Sequence, residues 1–260
     1  MRKSILLVCL LLFGCSQASK TISLPDFEHR IWELTNQERM AANLPPLLYD
    51  EGLADLARQH SQNMYKYHFF AHKDQNGYLV DTRKKQYYSS LIVVSIGENL
   101  AKIENNAKVL TPEEIVEGWM NSPEHRDNIL NSTFTYLGVG VVSQGSLLLA
   151  TQNFATPIVK LLSDIPADCN PQYQYQLKFA YLANEPKTDL QAVLNFPDAE
   201  FKYNIDDKYY TMGLKPVPIQ WTGTDQFEVL VDFPAGKGNY SLCFGFGHSY
   251  FEDGIKLKVK

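Results

Sequence analysis

The sequence has little cysteine, no excess of positive charge and no long apolar run beyond its first residues. Of its four cysteines, Cys9 and Cys15 fall near the start and only Cys169 and Cys243 lie in the body. The formal charge is 24 − 29 = −5, which excludes a nucleic-acid binder, because such a protein needs a basic surface to displace counterions. The compact basic run Arg83-Lys84-Lys85 reads as a solvated loop. No G-x-S-x-G or H-E-x-x-H is present, and neither body cysteine lies near a candidate site histidine, so the usual signatures of serine, cysteine and zinc hydrolases are missing. The apolar fraction of 45% and charged fraction of 20% leave a chain of ordinary globular composition, long enough for one large domain or two modest ones.

What is there begins with a secretory signal over residues 1–18. Arg2 and Lys3 precede the apolar stretch Ile5–Phe13, which is too short to span a bilayer core of about 30 Å. Leu12-Phe13-Gly14-Cys15 resembles a bacterial lipobox, in which Cys15 would carry the lipid. Ser16-Gln17-Ala18 offers instead an ordinary cleavage after residue 18. Either way the chain is expected to be exported, to a lipid-anchored place in the cell envelope or as a secreted protein, with membrane contact only through an N-terminal lipid anchor. Export makes a Cys169–Cys243 disulfide the favoured expectation, with two free buried thiols as the alternative.

Three short stretches carry most of the chemistry: Trp119–Leu130, which includes Ser122-Pro123-Glu124-His125-Arg126-Asp127; Phe69-Phe70-Ala71-His72; and Ile96-Gly97-Glu98-Asn99-Leu100. They are expected to meet around one cleft. Besides them, Asp26 and Asp50 read as helix caps, and Leu53, Leu56, Ala57, His60, Met64 and Tyr67 recur at helical spacing. His60 on that stripe reads as a core histidine. Residues 73–90 read as a loop. Thr111-Pro112-Glu113-Glu114 opens a helix with a capping box, and Ser122-Pro123 restarts a short one. Tyr136–Val142 and Ser146–Phe154 alternate about Gln144-Gly145, a hairpin. The fold class is α+β, helices packed on a central sheet.

With Leu34-Thr35-Asn36-Gln37-Glu38-Arg39, Gly138-Val139-Gly140 and Thr151-Gln152 added to these stretches, residues 27–156 resemble a CAP domain (cysteine-rich secretory, antigen 5, pathogenesis-related 1) of the bacterial SCP type. The resemblance implies an α-β-α sandwich with a central cleft, where two histidines and two glutamates in many members hold a divalent metal. Carried over residue by residue, the set is His72, Glu98 and His125, with Glu124 and Arg126 as neighbours; the second glutamate position holds Ser122. Two imidazoles and a carboxylate suit a divalent metal, zinc foremost. The alternative is a polar network in which Glu98 orients His72 and Arg126 pairs with Asp127 or Glu124. His68 and His72 are also four apart, as in helical zinc pairs.

Residues 161–260 change character. Short alternating runs at Gln174–Tyr181, Leu190–Phe196, Phe227–Phe233 and Ser241–Phe246, parted by Pro, Gly, Asn and Asp, suggest a β-sandwich-like second domain. Tyr209, Tyr210, Trp221 and Tyr250 read as core packing before they read as a binding face. Three functions follow. The first is a non-catalytic exported CAP protein that binds a lipid, sterol, or surface protein or glycan, as the resemblance implies. The second is a metal-dependent hydrolase or protease. The third is an interaction or adhesion protein acting through the C-terminal module.

Overall fold

The computed structural model describes residues 23–104, 111–247 and 249–260. The expected signal and Cys15 lie outside the described residues. Helix α1 (Leu24–Ala41) opens earlier than Asp26, because Ser23 is the cap: its Oγ accepts from the Asp26 amide and Pro25 occupies the first turn. Asn43 ends the helix in the left-handed region at φ 59°. After β1 (Leu48–Tyr49), the Asp50 carboxylate accepts from the Leu53 amide at 2.8 Å and starts α2 (Glu51–Lys66). The expected apolar stripe of α2 is buried from Leu53 to Met64, His60 included, but Tyr67, expected to continue it, is the C-cap and is exposed.

Residues 73–90 are not simply a loop. They contain α3 (Val80–Tyr87), and within it Arg83 and Lys84 are each only 1% exposed. Two of the three residues of the basic run are therefore interior, while Lys85 stays exposed as expected. This helix has no apolar stripe and no side-chain cap to announce it; its cations find buried acceptors instead. β2 (Leu91–Glu104) follows. α4 (Pro112–Met120) begins with the expected Thr111/Glu114 capping box, and α5 (Pro123–Ile129) begins at Pro123.

The hairpin β3 (Tyr136–Gln144) and β4 (Leu147–Leu161) forms the centre of the sheet, with β2 along the other side of β4 and β1 parallel to β3. Successive strand residues point to opposite faces. Leu137, Val139 and Val141 pack with Ile31, Ile115, Trp119 and Ile129 from α1, α4 and α5. Gly138 and Gly140 face α2, whose backbone would lie 2.1 Å and 2.0 Å from an added Cβ. Helices on both faces of one sheet make the α-β-α sandwich.

The rest is strand: β5 (Tyr175–Tyr181), β6 (Leu190–Asn195), β7 (Lys202–Asn204), β8 (Tyr210–Met212), β9 (Leu214–Val217), β10 (Ile219–Trp221), β11 (Gln226–Val231), β12 (Gly238–Phe246) and β13 (Ser249–Val259). β4 runs on past the hairpin and pairs with β5 at Val159–Leu161, so β5, β11 and β10 extend the same sheet. A second sheet, β13-β12-β6-β9, faces it across a core containing Phe179, Phe227 and Phe244. The strand-rich C-terminal region is thus joined to the first sandwich by a shared strand. Trp221 packs edge-on to Tyr181, whereas Tyr209, Tyr210 and Tyr250 are exposed, so only the tryptophan has the core role expected of the four.

Cys169 and Cys243 are free and buried, and the favoured disulfide is not formed. The reason is register. Cys169 pairs beside Val259 at one end of β13, while Cys243 pairs across from Gly254. Five residues of strand separate those positions by about 17 Å, far beyond the roughly 7 Å that a disulfide tolerates between Cα atoms.

Candidate cleft around Glu98

Glu98 sits on β2 with its side chain 2% exposed, and each carboxylate oxygen has a cationic or polar partner. Oε1 accepts from His72 Nδ1 at 2.9 Å, and Oε2 accepts from Arg83 Nη2. Arg83 does more than neutralise charge. Its Nη1 donates to the carbonyls of His72 (2.7 Å) and Tyr78 (2.9 Å), clamping both ends of the loop that carries His72. Inside that loop, Asp74 Oδ1 accepts from the Asn76 and Tyr78 amides, and Gly77 supplies a φ of 83° for the turn. Asp74 Oδ2 and Arg83 Nε are buried with no partner among the described residues.

His72 has its side chain half exposed, so its imidazole presents Nε2 to the open side while Nδ1 is held by Glu98. The bond to Glu98 raises the His72 pKa above its ordinary value, outweighing partial burial. His125, on α5, is lowered, first by desolvation and then by the charge of His72, which places the two rings in one electrostatic neighbourhood. Glu124 contributes only a field to both histidines. The expected pairing of Arg126 with Asp127 or Glu124 is absent among the described residues; the arginine that matters is Arg83.

A chain of amides aims α5. Asn128 Nδ2 donates to Asn99 Oδ1 (2.9 Å), Asn99 Nδ2 to the His125 carbonyl (3.0 Å) and to Gln152 Oε1 (3.2 Å), and Gln152 Nε2 to Thr35 Oγ1 (2.8 Å). Asn99 and Gln152 are fully buried, so each unpaired amide would cost roughly 1–3 kcal/mol. Side chains also close the open edge of β2. Trp119 Nε1 donates to the Leu100 carbonyl, Asn128 to that of Glu98 and Lys84 to that of Leu91.

This arrangement bears on the expected metal. Among the described residues, no group of three His, Cys, Asp or Glu side chains has the geometry to hold an ion. Glu98 is all but inaccessible at 2% exposure, and the guanidinium against its carboxylate opposes a second cation there. What remains is Glu98 behind His72, orienting its ring, with His125 as the other imidazole. Two nitrogens fall short of the three protein ligands usual for catalytic zinc, so the three-ligand site does not fit. The His68–His72 pairing fails for a simpler reason. α2 ends at Lys66, and His68 turns the chain at φ 55°. Arg83, Asn99 and Gln152 were the residues missed. The one sequence signal for Arg83 was its place shortly after the Asp74–Gly77 turn.

Residues 32–154 match the Cysteine-rich secretory protein family (CAP). The chain is 41% identical over 133 residues to the uncharacterized protein YkwD of Bacillus subtilis, covering 51% of this chain and 48% of that one. It is 34% identical over 128 residues to the uncharacterized membrane protein YlbC of the same organism, covering 49% and 34% respectively. The chain therefore spans about half or less of the curated relatives it matches. A crystal structure of an extracellular protein containing a SCP domain from Bacillus anthracis aligns at 30% identity with a TM-score of 0.44, covering 53% of this chain and 45% of that one.

Proposed function

Taking as premise that residues 32–154 are a CAP domain of bacterial type, we propose that this exported protein uses the Glu98 cleft to recognise a ligand rather than to catalyse a reaction. The single observation that supports this is the commitment of Glu98: both oxygens are engaged, by His72 and by Arg83. A general base or metal ligand must be reachable by the reacting group, and this carboxylate is 2% exposed behind its two partners. The open face instead offers His72 Nε2 beside the His125 ring, two adaptable hydrogen-bonding groups with different proton affinities. A lipid or sterol hydroxyl, or a polar group of a surface protein or glycan, is the kind of ligand such a pair can orient. The basic start and short apolar stretch of the sequence support export, and Cys15 supports a lipid anchor.

Native mass spectrometry of the full chain, expressed with its own N-terminus and recovered from the cell envelope or medium, tests this. The expected result is a lipid or sterol adduct on the wild type that is lost in His72→Ala/His125→Ala, with no peptide or ester turnover by either. Zinc adducts accompanied by turnover that His72→Ala abolishes would overturn the reading in favour of a metal-dependent hydrolase. A diacylglyceryl mass on Cys15 would place the anchor; a chain beginning at Ser19 would remove it.

A further inference from the structure

α3 carries two neighbouring buried cations that leave it in different directions. Arg83 reaches Glu98 and the loop of His72, as described above. Lys84 reaches the C-terminal region, where its Nζ pairs with Asp253 of β13 while also donating to the Leu91 carbonyl at 2.5 Å. Asp253 is aimed there by an irregularity. Between Cys243 and Gly245 the register with β13 shifts, so Phe244 faces an extra stretch of β13 that includes Asp253. Bulges of this kind re-aim a side chain out of the ladder.

The helix between these two contacts is otherwise held at its C-cap, where the Tyr88 hydroxyl donates to Asp50 at 3.0 Å. It is 8 residues long, has no side-chain N-cap, and buries only Arg83 and Lys84. Helices this short are not stable by propensity alone. Its interior is therefore held by its two ion pairs, with Tyr88 fixing its end, and adjacent residues on one helical turn cannot move independently.

We propose that the C-terminal region sets the cleft through α3: Asp253 on the β13 bulge holds Lys84, and Lys84 in turn keeps Arg83 on Glu98 and on the loop of His72. Asp253 is a positioning residue, remote from the cleft, and a partner that drew the β13 bulge away would unclamp His72. By reciprocity, a ligand that tightened the cleft would stiffen the bulge. The functional consequence rests on the cleft being the recognition site; the coupling itself does not.

Hydrogen exchange read by mass spectrometry on the full chain tests the coupling without any ligand. The readout is the amides of residues 74–78, whose turn depends on the Arg83 clamp. Asp253→Ala is expected to speed their exchange tenfold or more, and Asp253→Glu to restore it close to wild type. Lys84→Met removes the pair and leaves only the Asp253 carboxylate, which at 15% exposure still reaches water, and should give the same acceleration if Asp253→Ala does not fold. Val229→Ala loosens the C-terminal core alone and should leave 74–78 unchanged. Wild-type exchange at 74–78 in folded Lys84→Met would overturn the proposal, as would equal acceleration by Val229→Ala. If the cleft bound no ligand in the mass-spectrometric experiment, these exchange results would stand unaltered.

Discussion

The guanidinium of Arg83 lies against the carboxylate of Glu98 with both side chains all but inaccessible to water, at 1% and 2% exposure. Each charge is tolerable inside only because of the other and because further hydrogen bonds from His72 and to the His72 and Tyr78 carbonyls satisfy most of the pair, Arg83 Nε excepted. Removing one partner strands the second. Arg83→Met should therefore lower the unfolding free energy by about 3–5 kcal/mol, measured by urea denaturation. Arg83→Met/Glu98→Leu should recover part of that loss, since it leaves no unpaired charge, although the His72 and Tyr78 carbonyls still lose their donor.

The same carboxylate sets a pH dependence at His72. Its pKa is raised in the folded state, chiefly by the bond to Glu98. A raised base binds its proton more tightly folded than unfolded. The stabilisation is thus complete below the unfolded value of about 6.5 and fades as pH climbs through the higher folded value. His60 and His125 act in the opposite sense, since burial lowers both; their effect is to cost stability as pH falls below about 6.5. NMR titration of the imidazoles should show His72 above, and His60 and His125 below, the ordinary histidine range. Glu98→Gln should bring His72 down; an unshifted His72 in wild type would contradict the geometry.

Most of the sandwich was legible because its signals are local and repeat. The helix caps at Asp50 and Thr111, the apolar stripe from Leu53 to Met64 and the turn at Gly145 each declare an element by short-range chemistry. The three motif stretches pointed to one cleft, and the resemblance to the CAP family singled out His72, Glu98 and His125 within it. What was illegible depends on long-range partners. Arg83 and Lys84 look solvated until Glu98, fifteen residues on, and Asp253, far along the chain, arrive to pair with them. α3 carries no stripe for periodicity to find. Cys169 and Cys243 misled because an even count in an exported chain says nothing of strand register.

Register also decides the redox behaviour. With the two thiols at separate positions along β13, reductant should leave the thermal midpoint of the protein unchanged. Alkylation of the unreduced protein in denaturant should modify both Cys169 and Cys243. Recovery of a peptide pair linked through these residues would require β13 to slip by several residues, and would refute the pairing of Cys243 with Gly254.

Gly140 is the tightest point between the sheet and α2. An added Cβ would stand 2.0 Å from the Arg58 amide nitrogen and 2.3 Å from the Ala57 carbonyl carbon, and both neighbours are backbone, so no side-chain rotation can relieve the overlap. The helix must lift. It cannot lift freely, because Ser61 Oγ donates to the Gly140 carbonyl at 2.9 Å and Asp50 fixes its start. Gly140→Ala should therefore cost at least the upper part of the about 1–3 kcal/mol typical of overpacking, seen as a lower urea midpoint. Gly145→Ala is the informative contrast. Nothing lies within 4 Å of a Cβ there, and only its φ of 58° resists the change, so its cost should stay near 1 kcal/mol. Equal losses at the two positions would mean that backbone conformation, and not the approach of α2, governs this glycine pair.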